Sequence, residues 1–172
     1  YGKGARGEEA ETSLTGYFQT LEPLTALAKE ISHCILSEDE IADDASPGLK
    51  HVRRSIAITG DKIHSQLNSM VNGSYRSYLQ DAVITMRDNR YCIPVKAEYK
   101  NQVSGMVHDQ SSTGSTFFIE PAAIVNLNNQ LRELAIREKE EIEAVLASLS
   151  GKAGEHIHEI RENQRAMTAL DF

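Results

Sequence analysis

The hydrophobic period of this chain changes twice, and that change limits the folds it can adopt. Apolar residues fall seven apart at Leu49, Ile56, Ile63 and Met70, a spacing typical of a long amphipathic helix with coiled-coil character. Residues 83–120 alternate in short runs, and the helical period then returns to the end of the chain. The pattern predicts a mainly α fold with a small inserted antiparallel β-sheet, in the α+β class.

The boundaries of the first long helix are marked by local signals. Ser46-Pro47 combines a favoured N-cap residue with proline at the first helical position. Asn72-Gly73 is a favoured C-terminal pair, so the helix is predicted to end there. Before it, Pro23 suits the first turn of a shorter helix, and residues 37–44 form an acidic connector. Residues 1–12, rich in Gly and Glu, are predicted to be a flexible N-terminal end.

The middle of the chain is predicted to form about four short strands in an antiparallel meander. The candidate strands are residues 83–86, 91–95, 103–107 and 115–119, separated by turn residues at 87–90, 100–101 and 112–114. Pro94 lacks an N–H group, so its strand is expected to lie at an edge or to carry a bulge.

The last helical stretch is predicted to run from about Ala122 to Leu170. Such a helix would be roughly 70 Å long at ~1.5 Å per residue. Gly151 and Gly154 lie inside it, and glycine weakens helix interiors. We therefore expect a kink or a break at these two residues.

Composition excludes several classes. No run approaches ~18 apolar residues, so no membrane partner is expected. Cys34 and Cys92 are too few for a disulfide framework and lack metal-ligand spacing, which favours a reducing, cytoplasmic setting.

Neither Gly-Lys pair has the context of a nucleotide-binding loop. No cofactor and no metal are therefore expected. The chain lacks an initiator Met and a terminating signal, which indicates an excised piece of a longer protein.

The net charge of −7 is unevenly distributed. Residues 1–46 carry −7, residues 47–82 carry +3, residues 83–120 are neutral and residues 121–172 carry −3. A polyanion would therefore have to meet the middle of the chain. The candidate nucleic-acid contacts are four cations at turns or strand ends of the predicted sheet: Arg87, Arg90, Lys96 and Lys100. Two alternatives stay open. The cations are a solvated mixed-charge surface, or one of the two arginines is structural and bonded to Asp88 or Glu98.

Two other groups of residues have chemical potential. His108-Asp109 resembles an acid–base pair, and with Glu120 it would be the centre of a nuclease. A polar residue beside a turn is the simpler interpretation of His108. Residues 111–115 could cradle a phosphate with backbone N–H groups, but a plain hairpin loop is the favoured interpretation, because predicted strands flank both sides and no helix N-terminus follows directly.

The chain resembles the bacterial MutS-II family, the MutS paralogue that suppresses recombination. Its central motif is long and specific, and the similarity covers most of residues 40–172. The segments that carry the resemblance are ITMRDNRYCIPVKAEY at 84–99, GMVHDQSSTGSTFFIEP at 105–121, NNQLREL at 128–134 and ALDF at 169–172.

The resemblance implies an architecture of long lever-type helices that carry a clamp-like sheet. On this plan, residues 13–82 are the helical core and first lever helix, residues 83–120 the β clamp-like insertion and residues 121–172 the returning lever helix. It also implies that the parent protein is a homodimer with an ATPase domain, which uses ATP and Mg²⁺, and a C-terminal Smr endonuclease domain, both outside this chain. The family is linked to branched DNA and to collided ribosomes.

Three hypotheses about function follow. The first is a non-catalytic core, lever and clamp module that helps to embrace branched DNA or the ribosome and its rRNA. The second is a nuclease that uses His108, Asp109 and Glu120. The third is a pure coiled-coil dimerisation element.

Overall fold

The structure is a computed structural model that describes residues 21–170, with side chains described through residue 165. The predicted flexible end, residues 1–12, lies outside the described residues. Among those described, no helix is both long enough and apolar enough to span a membrane.

Three helices and six strands make up the described chain. The helices are α1 (21–34), α2 (Pro47–Ser69) and α3 (Val125–Leu170). The strands are β1 (Ile35–Ser37), β2 (Glu40–Ile41), β3 (Thr85–Arg87), β4 (Arg90–Lys96), β5 (Gly105–Gln110) and β6 (Thr116–Pro121). This composition confirms the predicted class of a mainly α fold with a small antiparallel sheet. The β1–β2 hairpin, which overlaps the start of the predicted acidic connector, was not predicted.

Helix α2 begins where the sequence predicts. The Leu49 N–H donates to Ser46 Oγ at 3.0 Å, so Ser46 is the N-cap and Pro47 the first helical residue. The regular helix ends at Ser69 and continues as a π-helical turn over Met70–Ser74. Gly73 leaves helical geometry there, with φ −124° and ψ −106°, which ends the helix at the predicted position.

The four-stranded sheet has the order β3-β4-β6-β5, and all its pairs are antiparallel. The predicted meander is therefore wrong in its order, because β6 lies between β4 and β5. A 3₁₀ segment, Ala97–Gln102, follows β4 and leads to β5 at the far edge. The β3–β4 turn is a two-residue hairpin, and Asp88 and Asn89 both adopt left-handed φ values of 54° and 60°. Such turns match the twist of the flanking strands, and Asn and Asp tolerate this conformation.

Pro94 lies in an interior strand, so the predicted edge position is wrong. The β3–β4 ladder ends at Cys92, and Gln80 N–H donates to the Pro94 carbonyl at 2.9 Å. In an antiparallel strand the carbonyl and nitrogen of one residue face the same side. The missing N–H of Pro94 therefore faces away from β6, at a position that β3 does not reach.

The described residues form two compact units, His51–Lys139 and a second unit made of residues 21–50 with 140–170. In the first unit, the buried face of α2 packs on the sheet and on the start of α3. This core contains Ile63, Leu67, Val71, Leu79, Ile93, Val95, Val103, Ile119 and Ile124. The apolar face of α2 therefore packs against other elements of this same chain.

The second unit has a smaller core. Cys34, Val145 and Leu149 are buried together, and Ile31 and Ile41 pack against them. The Lys152 ammonium donates to the Glu30 carboxylate at 2.6 Å between α3 and α1.

Helix α3 continues through both glycines. Its 46 residues are helical without interruption, so the expected break at Gly151 and Gly154 is absent. No atom lies within 4 Å of a Cβ position built on either glycine. These glycines therefore do not mark close contacts among the residues that the structure describes.

Candidate nucleic-acid interface and the buried Glu120 cluster

The Glu120 carboxylate is the centre of a polar cluster between the sheet and α3. Its side chain is 0% exposed and accepts from three other side chains. Arg90 contributes Nε at 3.0 Å and Nη2 at 2.6 Å from Oε2, His108 contributes Nε2 at 2.7 Å from Oε1, and Asn128 contributes Nδ2 at 2.7 Å from Oε2. A buried carboxylate requires such compensation, because burial without partners costs several kcal/mol.

The local structure explains how these four residues meet. Glu120 pairs with Met106 of β5, and the register shifts between Val107 and Asp109. A β-bulge re-aims the residue that it inserts, and here His108 reaches Glu120. Asn128, in the first turns of α3, also exchanges hydrogen bonds with the backbone of Tyr91 in β4. The cluster thus fastens β4, β5 and β6 to the start of α3.

Arg90 is part of this cluster and is largely withdrawn from solvent. Its side chain is 12% exposed, and Nη1 donates to Asn129 Oδ1 at 2.8 Å. Nη2 also donates to the Val125 carbonyl at 3.4 Å. Its carboxylate partner is Glu120, not the Asp88 or Glu98 considered from the sequence.

The pKa of Glu120 reflects competing causes. Burial raises the pKa of this carboxyl. The hydrogen bonds from Arg90, His108 and Asn128, together with the Arg90 charge, lower the pKa by more than burial raises it. The net pKa lies below the usual value for a glutamic acid, so the group is an anion at neutral pH.

The structure brings together only two of the three residues of the nuclease hypothesis. His108 and Glu120 are in contact, but the Asp109 carboxylate lies 3.2 Å from Arg87 Nε. The four donors already occupy the Glu120 oxygens. Among the residues that the structure describes, no group of three or more His, Cys, Asp or Glu is placed to hold a metal ion.

Arg87 lies on the sheet surface and has its own partners. Its guanidinium stacks on Phe118, with Cζ 3.9 Å from the ring centroid, and forms the ion pair with Asp109. The side chain is 37% exposed. Asp109 therefore offsets much of the charge that Arg87 would offer to a phosphate.

Lys96 and Lys100 lie at the other end of β4. Lys96 ends the strand, six residues after Arg90 and about 20 Å along it at ~3.3 Å per residue. The Lys100 ammonium lies 4.7 Å from the ring centroid of Phe117. Neither lysine forms an ion pair with any residue that the structure describes. The four predicted cations therefore do not form one patch, because the two arginines and the two lysines lie at opposite ends of β4.

The sequence interpretation missed Asn128 and Asn129, which complete the Glu120 cluster. A usable signal was present, since two consecutive asparagines are unfavourable inside a helix without a specific partner. The charge of Glu120 inside an apolar strand was a second signal, because a buried carboxylate requires donors nearby.

These elements define a class of structure, a mainly helical α+β module. Its four-stranded antiparallel sheet is inserted in the sequence between two long helices and is tied to the second of them by a buried charge cluster. No protein-family model matches the chain. Curated relatives do match it. Endonuclease MutS2 of Agathobacter rectalis is 56% identical over 173 residues, which cover 100% of this chain and 22% of the relative.

Two further relatives agree. Endonuclease MutS2 of Lachnoclostridium phytofermentans is 58% identical over 96% of this chain and 21% of its own length. Endonuclease MutS2 of Lachnospira eligens is 55% identical over 95% of the chain and 21% of its own length. The chain therefore belongs to the MutS2 family, the MutS-II family of the sequence resemblance. It spans about a fifth of the length of the curated relatives that it matches.

Proposed function

We propose that this chain is a non-catalytic core, lever and clamp module of a MutS2-type protein. It helps to embrace branched DNA or the ribosome and its rRNA in the cytoplasm. An ATPase domain outside the chain, with ATP and Mg²⁺, drives opening and closing, and the parent protein acts as a homodimer. The cleavage activity in the name of the relatives belongs, on this proposal, to an Smr domain elsewhere in the parent.

The observation that carries the proposal is the Glu120 cluster. Three strands of the sheet and the start of α3 are joined by buried hydrogen bonds to the ionised Glu120 carboxylate, and hydrogen bonds to a charged group are stronger than those between neutral groups. A sheet held in this way moves together with the first turns of its helix. This rigidity suits an element that transmits motion from a distant motor.

The nuclease hypothesis receives less support. A general base must reach a substrate proton or a water molecule, and a carboxylate at 0% exposure with four donor contacts is poorly placed for this. The coiled-coil hypothesis is also weakened, since Leu49, Ile63 and Leu67 are fully buried within this chain.

The distribution of net charge indicates which part of the chain would attract a nucleic acid. Residues 51–139 contain eleven basic and eight acidic residues, a net charge of +3. The rest of the sequence contains seven basic and seventeen acidic residues, a net charge of −10. A polyanion is thus attracted to the unit that contains the sheet.

The test is a binding and cleavage assay with labelled branched DNA, linear duplex and ribosomes at fixed salt, with Mg²⁺ present. We expect binding without cleavage, and weaker binding by a Lys96→Gln/Lys100→Gln variant. Lys62→Gln is the matched control, because it removes an exposed charge from α2. Cleavage that disappears in an Asp109→Asn variant would favour the nuclease, and no binding to any ligand at low salt would contradict the proposal.

A further inference from the structure

The loop between β5 and β6 gathers three side-chain hydroxyl groups at one end of the sheet. Thr113 Oγ1 lies 2.9 Å from Ser115 Oγ, and Ser111 Oγ lies 3.5 Å from each of them. We call residues Ser111 to Ser115 the hydroxyl loop. Thr113 and Ser115 are exposed, as is Ser112 between the strands.

Hairpin geometry explains only part of this arrangement. Ser111 Oγ accepts from Thr116 N–H at 3.1 Å, and the Gly114 N–H closes a turn on the Ser111 carbonyl at 2.9 Å. Gly114 adopts a left-handed φ of 74°, which a glycine allows without strain. Ser111 and Gly114 thus have structural roles, whereas among the described residues the hydroxyls of Thr113 and Ser115 form hydrogen bonds only with other hydroxyls of the loop.

The loop also carries unused backbone donors. Within the part of the chain that the structure describes, the N–H groups of Ser112, Thr113 and Ser115 donate to no other group. Amide N–H groups in turns and hydroxyl groups are the donors that bind phosphate oxygens in proteins.

Two lysines flank the same end of the sheet. Lys96 pairs with Thr116, directly after the loop, and Ala97 N–H donates to the Ser115 carbonyl at 2.9 Å. Lys100 approaches Phe117, two residues after Ser115. Residues 110–118 contain no acidic residue, so the charge of the lysines is not offset within the loop.

We propose that the hydroxyl loop, with Lys96 and Lys100, binds the phosphodiester backbone of a nucleic acid. The hydroxyl and amide groups of Thr113 and Ser115 donate to phosphate oxygens, and the two lysines supply the charge. The inference rests on the function proposed above and makes it more specific, because it places the contact at the loop end of the sheet and not at the arginine turn. Such a contact reads no base, so DNA and RNA of any sequence are bound alike.

The variants separate hydrogen bonding from charge. Thr113→Val and Ser115→Ala each remove one exposed hydroxyl and leave the Ser111 and Gly114 bonds in place. Each should weaken binding by about three- to tenfold, the size of one or two lost hydrogen bonds, without changing the salt slope. Lys96→Gln should lower the slope of log affinity against log salt by about one unit. Ser65→Ala, an exposed hydroxyl on α2, is the control for the hydroxyl variants and should bind as the parent chain does.

The assay uses the full 172-residue chain with fluorescent duplex DNA, single-stranded DNA and duplex RNA at two salt concentrations, and melting temperature checks the fold of each variant. Parallel losses on all three ligands support the proposal. Unchanged affinity of the Thr113→Val/Ser115→Ala variant, with weaker binding by Lys96→Gln, would overturn the loop site and leave the proposed function standing. A loss confined to RNA would indicate a ribose contact and also overturn it. No binding by the parent chain at low salt would contradict both proposals.

Discussion

Glu120 is the residue whose removal should damage this molecule most. It is fully buried, and its loss would leave Arg90 without its carboxylate partner in a site where that side chain is only 12% exposed. Breaking one partner of a buried ion pair is far more costly than the pair is stabilising, since the remaining charge has been taken out of water.

Glu120→Gln is therefore expected to lower the free energy of unfolding by about 3 kcal/mol at pH 7. The pKa of the Glu120 carboxyl is lowered in the folded state, so its contribution is fully present above the unfolded pKa of about 4.3 and is lost as pH falls through the folded value. Urea unfolding between pH 7 and pH 3 should show this loss in the parent chain and a flatter acid profile in Glu120→Gln. Glu133→Gln on the exposed surface of α3 is the control. Equal acid profiles for parent and variant would show that the cluster does not stabilise the fold.

The two arginines of the β3–β4 hairpin should behave differently on substitution. Arg90→Ala removes the bidentate partner of Glu120 and is expected to destabilise the chain by about 3 kcal/mol. Arg87→Ala removes a surface ion pair and a stacking contact, so a loss of about 1 kcal/mol is expected. Thermal unfolding of the two single variants measures the difference. A larger loss in Arg87→Ala than in Arg90→Ala would contradict the structural role of Arg90.

At the scale of the element, local signals predicted the helices well. Ser46 and Pro47 determined the start of α2 because capping acts over three residues, and the heptad residues Leu49 and Ile63 are fully buried. The sheet order was not predictable in the same way. It depends on which strands pair across long sequence separations, and the position of β6 between β4 and β5 leaves no local mark.

The Glu120 cluster was only partly predictable, because most of its contacts join residues that lie far apart in the sequence. His108 and Glu120 were named from the sequence as possible neighbours, but the contact of Arg90 with Glu120 spans thirty residues and that of Asn128 with Tyr91 spans thirty-seven. Such tertiary contacts are set by packing of elements against one another. Residue type and spacing alone therefore could not separate Arg90 from Arg87.

Replacing glycine by alanine should lower the free energy of unfolding at a position in β5 and raise it at a position in α2. A Cβ on Gly105 would lie 2.1 Å from the Glu120 carbonyl oxygen, a backbone atom of the paired strand, so β5 could not keep its register. Gly105→Ala is expected to destabilise by more than about 2 kcal/mol. A Cβ on Gly60, inside α2, meets no atom within 4 Å, so Gly60→Ala should stabilise by about 0.5–1 kcal/mol. Chemical denaturation measures both, and a stabilising Gly105→Ala would contradict the register of β5.

At the scale of the whole molecule, charge is divided unequally along the chain. The unit of residues 51–139 carries +3 and the rest of the sequence carries −10. Long-range attraction to a polyanion is weak for such a chain, because its net charge of −7 opposes approach out to about one Debye length and salt screens the interaction beyond that distance. Local contacts therefore have to supply most of the affinity, and the salt dependence should reflect only a few phosphates.

The reactivity of the two cysteines can report how often each compact unit opens. Cys34 lies in one compact unit and Cys92 in the other, and both are free and buried. Burial, together with the Glu120 charge, raises the pKa of Cys92 to about 11, and burial also raises the pKa of Cys34. Neither thiol should react with an aromatic disulfide at pH 8 until its unit opens.

Single-cysteine variants, Cys34→Ala and Cys92→Ala, would therefore report the opening of each unit by its labelling rate alone. We expect two distinct rates, and we expect a nucleic acid bound to the sheet to slow the labelling of Cys92 more than that of Cys34. Identical slowing of both thiols would mean that the two units open as one. The labelling rate of each thiol therefore records the local stability of its own unit in solution, with the disulfide reagent as the probe.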